Sequence, residues 1–208
     1  MERFRKIYKI YDYFNFIASF SLDTYWRFRA SKFAKGICLD AGCGKGEFSK
    51  FLLKNKKIKK IFGIDITKEM IFEGKKKINL NFIIGDVHKM PFKEKTFDYV
   101  VSSFLYRNIN PYEFFKECKR VLKKDGKLII LEMGLPDFFL IKFFYLFYLK
   151  FLEKITSFIF KKEISEEYKF LFDSIKKFNK GEEIKNFFKK IKVLRINFGT
   201  AYIFILSN

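Results

Sequence analysis

Asp40, Gly42, Gly44 and Gly46 stand together in the string LDAGCGKGEF, Leu39–Phe48, behind a short apolar run at Gly36–Leu39. An acid closing a strand, followed by three alternating glycines, describes a loop that passes close under a ligand. Its N–H groups and the N-terminus of a following helix, Glu47–Leu53, are expected to face that ligand. The third glycine sets the ligand class. A dinucleotide fingerprint reads G-x-G-x-x-G; here the last glycine comes one position early and Glu47 takes the dinucleotide position. A glutamate there repels a pyrophosphate. S-adenosyl-L-methionine brings an ammonium and a sulfonium as well as its carboxylate, so acids suit it. Acid-then-GxGxG is the pattern of methyl transfer from that cofactor.

The other candidate binding residues fit the same ligand. Asp40 can orient the loop or accept from the ammonium. Gly42 and Gly44 let the backbone approach the methionine moiety, and Gly46 allows tight packing of helix on strand. Lys45 is a bulky cation where a small hydroxyl residue is common; either its side chain points to solvent or its backbone N–H alone serves. Asp65 has two accepting oxygens and suits a ribose diol. Ile66 can pack on adenine, Asp86 can accept from the adenine amino group, and Val87 can offer its N–H to a ring nitrogen. Ser103 ends the fourth strand, beside the expected methyl position. Arg107 and Asn108 follow on the loop after that strand. Arg107 is the candidate to stabilise a developing phenolate and Asn108 to orient the acceptor; capping or surface roles are the rival reading. His88, the single histidine, has no partners at metal spacing, so no metal is expected. Asn110–Pro111–Tyr112 reads as helix initiation rather than an amino-methylation motif.

These residues need a scaffold, and the chain alternates strands with helices. After the first loop come a strand at Lys60–Ile64, a helix at Lys68–Lys77 capped by Thr67, and strands at Asn81–Ile84 and Tyr99–Phe104. A helix at Tyr112–Leu122 and a strand at Lys127–Met133 follow, across an Asp125–Gly126 turn. Alternation of this kind predicts a parallel sheet with helices on both faces. Ligands of such sheets sit at the carboxyl ends of the strands, where Asp40, Asp65, Asp86 and Ser103 all fall. Val193–Asn197 and Tyr202–Leu206 are separated by too short a gap for a helical crossover, so they pair antiparallel. The expected fold is α/β, Rossmann-like: a mostly parallel seven-stranded sheet with a C-terminal antiparallel hairpin.

The 208 residues fit one domain. It divides into a helical cap over residues 1–35, a cofactor-binding core over 36–134, a helical insertion over 135–190 and a terminal hairpin over 191–208. Three cysteines without CxxC spacing indicate a reducing, cytoplasmic setting. MERFRKIYKIYDYF at the N-terminus has no clean apolar core of a secretory signal. The net charge of +20 comes mostly from lysine. Such a surface attracts anionic lipid headgroups and nucleic acid alike, yet dedicated nucleic-acid readers favour arginine, which is scarce here.

Phe138–Phe160 is apolar and rich in Phe and Tyr. It is long enough to span a bilayer, but its four charges, Lys142, Lys150, Glu153 and Lys154, would cost roughly 2.5–3.5 kcal/mol each at the bilayer centre. They fall within about 120° on a helical wheel. A narrow polar stripe suggests a segment lying in a membrane interface or covering an apolar substrate; an ordinary core helix is the alternative.

Several stretches resemble the menaquinone/ubiquinone biosynthesis C-methyltransferases. They are YDYFNFIASFSLDTYWR with Tyr11, Asn15 and Trp26, GDVHKMPFKEKTFDYVVSSFLYRNI at Gly85–Ile109, ECKRVLKKDGKLIILEMGLP after it, EEYKFLFDSIKKF at Glu166–Phe178, and the terminal FGTAYIFI. The resemblance implies a class I methyltransferase that methylates a ring carbon of a prenylated quinol late in respiratory quinone synthesis. It carries cofactor contacts to Lys45, Asp65, Asp86, Val87 and Ser103, beside the glycine loop. Lys45 replaces the family's threonine, and Phe104–Leu105–Tyr106 replaces a glycine-containing stretch. The implied partners are a small apolar substrate and an anionic membrane contacted from the cytoplasmic side. Three alternatives stay open: another small apolar acceptor, a nucleic acid acceptor, and a non-catalytic cofactor-binding assembly protein.

Overall fold

The computed structural model describes residues 11–178 and 181–207; the first ten residues of the expected N-terminal cap lie outside them. Two short helices open the described chain, α1 at Tyr11–Ala18 and α2 at Leu22–Ser31. Then come β1 at Gly36–Ala41, α3 at Ser49–Leu53, β2 at Ile58–Asp65, α4 at Lys68–Lys77, β3 at Asn81–Ile84 and β4 at Phe97–Ser103. A 3-10 turn at Tyr106–Asn108 leads to α5 at Pro111–Val121 and β5 at Leu122–Met133. The long α6, Phe139–Ile159, and α7, Lys162–Lys177, precede the antiparallel β6 at Lys190–Ile196 and β7 at Ala201–Ser207.

The seven strands form one sheet in the order β3-β2-β1-β4-β5-β7-β6. Pairs among the first five strands are parallel, and β7 runs antiparallel to both β5 and β6. The order reverses between β1 and β4, which creates a crevice at their carboxyl ends. Side chains alternate across the sheet as the strand period requires. Leu128 and Ile130 enter one core and Ile129 and Leu131 the other. The core of Ile129 and Leu131 also takes Trp26, Leu149 and Phe172 from the helices and Phe48 from the glycine loop, and the core of Leu128 and Ile130 takes Phe114, Phe115 and Val121 from α5. Both faces are therefore covered, as parallel strands demand.

Several boundaries differ from the expectation by a few residues, and two of them have a clear physical reason. The helix expected at Glu47–Leu53 begins at Ser49, because the glycine loop runs on as turns through Phe48. β5 begins at Leu122, ahead of the Asp125–Gly126 turn, because Leu122 pairs with Phe97 before the register shifts.

The helices beyond the sheet build a cap over the crevice. Trp26 of α2 is buried and donates to the Asn197 Oδ1 at 2.8 Å. α6 packs on α7 and donates two tyrosine hydroxyls to the end of α1, Tyr145 to the Ala18 carbonyl at 3.2 Å and Tyr148 to the Ile17 carbonyl at 2.8 Å. Inward residues Tyr145, Tyr148, Leu149 and Leu152 follow the helical period. Its other side leaves Phe139, Phe143, Phe144, Phe147, Phe151 and Phe158 exposed.

Candidate active site

A cleft of about 350 Å³ opens at the carboxyl ends of β1, β2 and β4. The turn after each strand brings its residues there. Gly42, Gly44 and Lys45 follow β1; Asp65 and Ile66 end and follow β2; Asp86 and Val87 follow β3; Ser103 ends β4, and Asn108 lies in the turn after it. Nine sequence-nominated residues are thus gathered on one cleft. Asp40, Gly46 and Arg107 do not line it.

Asp40 lies under the floor. It is fully buried, and its Oδ2 accepts from the Ser49 hydroxyl at 2.6 Å. Burial pushes its pKa up to about 7, against the opposing pull of that hydroxyl and of the Arg27 charge. Its Oδ1 has no hydrogen-bond partner among the described residues. Gly46 is a packing position: at φ +85°, a left-handed conformation, a Cβ would collide with the Ile78 side chain. Gly42 is similar, with φ +70° and Leu105 Cδ2 only 2.7 Å from where a Cβ would stand.

The loop amides are disposed differently from the expectation that they face the ligand. Gly42 N and Cys43 N both donate to the Ile64 carbonyl, at 2.8 and 3.0 Å. Gly44 N donates to Asp65 Oδ2 at 2.8 Å, and Gly46 N to the Cys43 carbonyl at 2.8 Å. Gly42, Cys43 and Gly44 thus pin the loop to the end of β2 by their own donors, and the Lys45 residue, with a side chain expected on one reading to reach solvent, is buried.

Asp65 is the pivot of that arrangement. Its Oδ1 accepts the Thr67 amide at 2.8 Å while Oδ2 holds Gly44. Burial raises its pKa, and those two amides oppose the rise. Asp86 is held by the His88 residue: Oδ1 accepts the His88 amide at 2.9 Å and lies 2.7 Å from His88 Nδ1. Asn108 donates Nδ2 to the Phe104 carbonyl at 3.2 Å, while its buried Oδ1 has no partner among the described residues.

Arg107 is drawn to the other side of its turn. Its Nε donates to Glu132 Oε2 of β5, and Nη1 donates to the Ser174 hydroxyl of α7 at 3.0 Å. Both charged side chains are buried, and Glu132 keeps a raised pKa because burial outweighs the Arg107 charge. Arg107 lines a second cavity of about 290 Å³ instead. Ile109 and Phe170 line both cavities.

Sequence reasoning missed Arg27, Met70, His88 and Phe170, all of which line the cleft. Arg27 comes from α2 and Phe170 from α7, elements whose spacing to the loop motif carries no signal. His88 adjoins Asp86 and was legible as a neighbour of that site. Phe104, Leu105, Ile109 and Phe170, from the β4 turn and α7, bring apolar lining to the cleft. Among the described residues no group of three or more His, Cys, Asp or Glu is placed to hold a metal ion.

The model of the ubiE/COQ5 methyltransferase family matches residues 1–202. A demethylmenaquinone methyltransferase of Staphylococcus aureus strain MRSA252 is 34% identical over 203 residues, which span 93% of this chain and 84% of that one. Among solved structures, the plantazolicin methyltransferase in complex with SAH aligns with a TM-score of 0.69 at 15% identity, over 96% of this chain and 89% of the other. A SAM-dependent methyltransferase of Thermotoga maritima, described as a possible histamine N-methyltransferase, aligns at 0.66 and 19% identity, over 99% and 98%. At such identities these structures speak to the fold alone.

Proposed function

The chain belongs to the ubiE/COQ5 methyltransferase family, and on that premise we propose that it methylates a ring carbon of a prenylated quinol, demethylmenaquinol or a close relative. It is an S-adenosylmethionine-dependent methyltransferase. One observation carries the substrate class: the acids of the cleft come from its β1, β2 and β3 side, while Phe104, Leu105, Ile109 and Phe170 bring apolar lining from its β4 and α7 side. The first side suits a cationic donor with a ribose, the second a flat apolar ring.

The residues present fit the cofactor. Asp65 is placed for the ribose hydroxyls, Asp86 and Val87 for adenine, and the pinned glycine loop for the methionine moiety. When bound, the cofactor supplies an electrophilic methyl group on a sulfonium, which needs no metal. The remaining work falls to the chain: it holds the acceptor ring in line and keeps water out. Asn108 Oδ1, buried and without a partner among the described residues, is the group we assign to the acceptor's hydroxyl. Accepting a hydrogen bond from that hydroxyl orients the ring and raises the electron density at the neighbouring carbon, whose own proton is released as the methyl takes its place. Arg107 acts by positioning, since its ion pair ties the β4 turn to β5 and α7.

The Phe-rich outer side of α6 we assign to a membrane interface, where a lipophilic quinol is stored. No described helix is long and apolar enough to cross a membrane, so this contact is peripheral, and we place the protein at the inner face. α6 lies on α7, whose Phe170 walls the cleft, so a tail leaving the site has a short path to the interface.

Incubation with isotope-labelled methyl donor and a panel of demethylated quinols tests the reading. A quinol heavier by one labelled methyl on ring carbon, seen by mass analysis, is expected. Label on another small apolar molecule and not on any quinol would move the substrate class; label on RNA would overturn it.

A further inference from the structure

We propose that Arg27 receives the carboxylate of the cofactor's methionine moiety. A zwitterionic head group buried in a cleft needs donors opposite its carboxylate as much as acids opposite its ammonium. The glycine loop offers few of them, because the amides of Gly42, Cys43, Gly44 and Gly46 are all donated within the fold. The acids on the cleft, Glu47, Asp65 and Asp86, repel a carboxylate.

Arg27 has the required placement. It reaches the cleft from α2, and its charge bears on Asp40 beneath the glycine loop. Its guanidinium carbon stands 4.9 Å from the centre of the Phe104 ring, at the end of β4. The residue is 6% exposed. Nη1 donates to Asp23, whose Oδ1 accepts from the Ser19 hydroxyl at 3.2 Å. Nε is buried and makes no hydrogen bond among the described residues. A guanidinium presents five N–H donors in a rigid fork. One buried against a ring with donors left over is costly until a planar pair of oxygens completes it. Asp23 thus fixes the side chain, Phe104 supports its face, and the open donors remain for the ligand.

The inference rests on the cofactor and is independent of which acceptor is methylated. Calorimetric titration of the full chain with S-adenosylhomocysteine and with its decarboxylated analogue isolates the carboxylate. The parent should bind the analogue about 10- to 100-fold more weakly. Arg27→Gln should bring the two ligands within about threefold of one another, by weakening S-adenosylhomocysteine alone. The double variant Asp23→Asn with Arg27→Gln leaves no lone buried acid and serves if the single variant does not fold. A ratio that is unchanged without Arg27, or that collapses in Lys45→Gln instead, overturns the inference. A parent that binds neither ligand removes the cofactor assignment itself, and is distinguished by that double loss.

Discussion

Asp40 carries a pH signature that its role beneath the loop explains. An Asp in the unfolded chain titrates near 3.8, whereas burial pushes the folded group up to about 7. The folded state therefore holds the extra proton between those values. The stability it contributes is fully present below the unfolded value and is lost as pH rises through about 7. Asp40→Asn stays uncharged throughout. Its melting temperature should gain on the parent's as pH rises from about 4.5 to 7.5 and hold a constant offset above that, as read by thermal denaturation across a pH series. A constant offset over the whole range would contradict the assignment.

Arg107 makes an opposite case, in which chemistry suggested by sequence gives way to structure. The loop after β4 nominates it for the acceptor, yet its partners Glu132 and Ser174 lie far along the chain and fold it away from the cleft. Arg107→Ala strands a fully buried Glu132, so a loss of about 3–5 kcal/mol in folding free energy is expected by denaturant titration. Arg107→Met with Glu132→Leu should recover most of it. A large fall in turnover with unchanged stability would return Arg107 to the chemistry. The same contrast explains what was legible at the site. Asp65, Asp86 and Ser103 are read from local pattern because each ends or follows a strand of the same sheet. Arg27 and Phe170 arrive by tertiary packing of the cap, and no spacing to the loop announces them.

At the scale of elements, α4 and β3 fall where their sequence patterns place them; Thr67 stands at the α4 N-cap without a side-chain capping bond, whereas Asn110 caps α5 by accepting the Tyr112 amide at 3.0 Å. The antiparallel hairpin was equally readable, since a short gap admits no crossover. The sheet order and the depth of the cap were not, because they depend on contacts such as Trp26 with Asn197. α6 has the sequence of either a core helix or an interfacial one, and only packing separates them: one side meets α1 and α7, the other exposes Phe144, Phe147 and Phe151. Burying a phenylalanine side chain is worth about 1.5–3 kcal/mol. Phe144→Ser with Phe147→Ser should then weaken co-sedimentation with anionic phosphatidylglycerol vesicles by roughly tenfold or more. Affinity for S-adenosylhomocysteine should not change, since neither residue lines the cleft.

Over the whole molecule, the charge of +20 and the aromatic side of α6 act at different ranges. Coulomb attraction to an anionic surface extends over a Debye length of about 8 Å at physiological salt and contributes about 1 kcal/mol per lysine near the surface. Insertion of aromatic rings is short-ranged and nearly indifferent to salt. Lys150 and Lys154 lie exposed on α6 among its aromatics, so the two effects act on one surface. Raising the salt to about 1 M, where the Debye length is near 3 Å, should weaken binding to anionic vesicles without abolishing it. The residual binding should vanish in the Phe144→Ser, Phe147→Ser variant. RNA held by the same lysines should be released completely by that salt and be indifferent to the two phenylalanines. Vesicle binding that behaves like RNA in both respects would mean that charge alone draws the protein to lipid, and that α6 covers something other than a membrane.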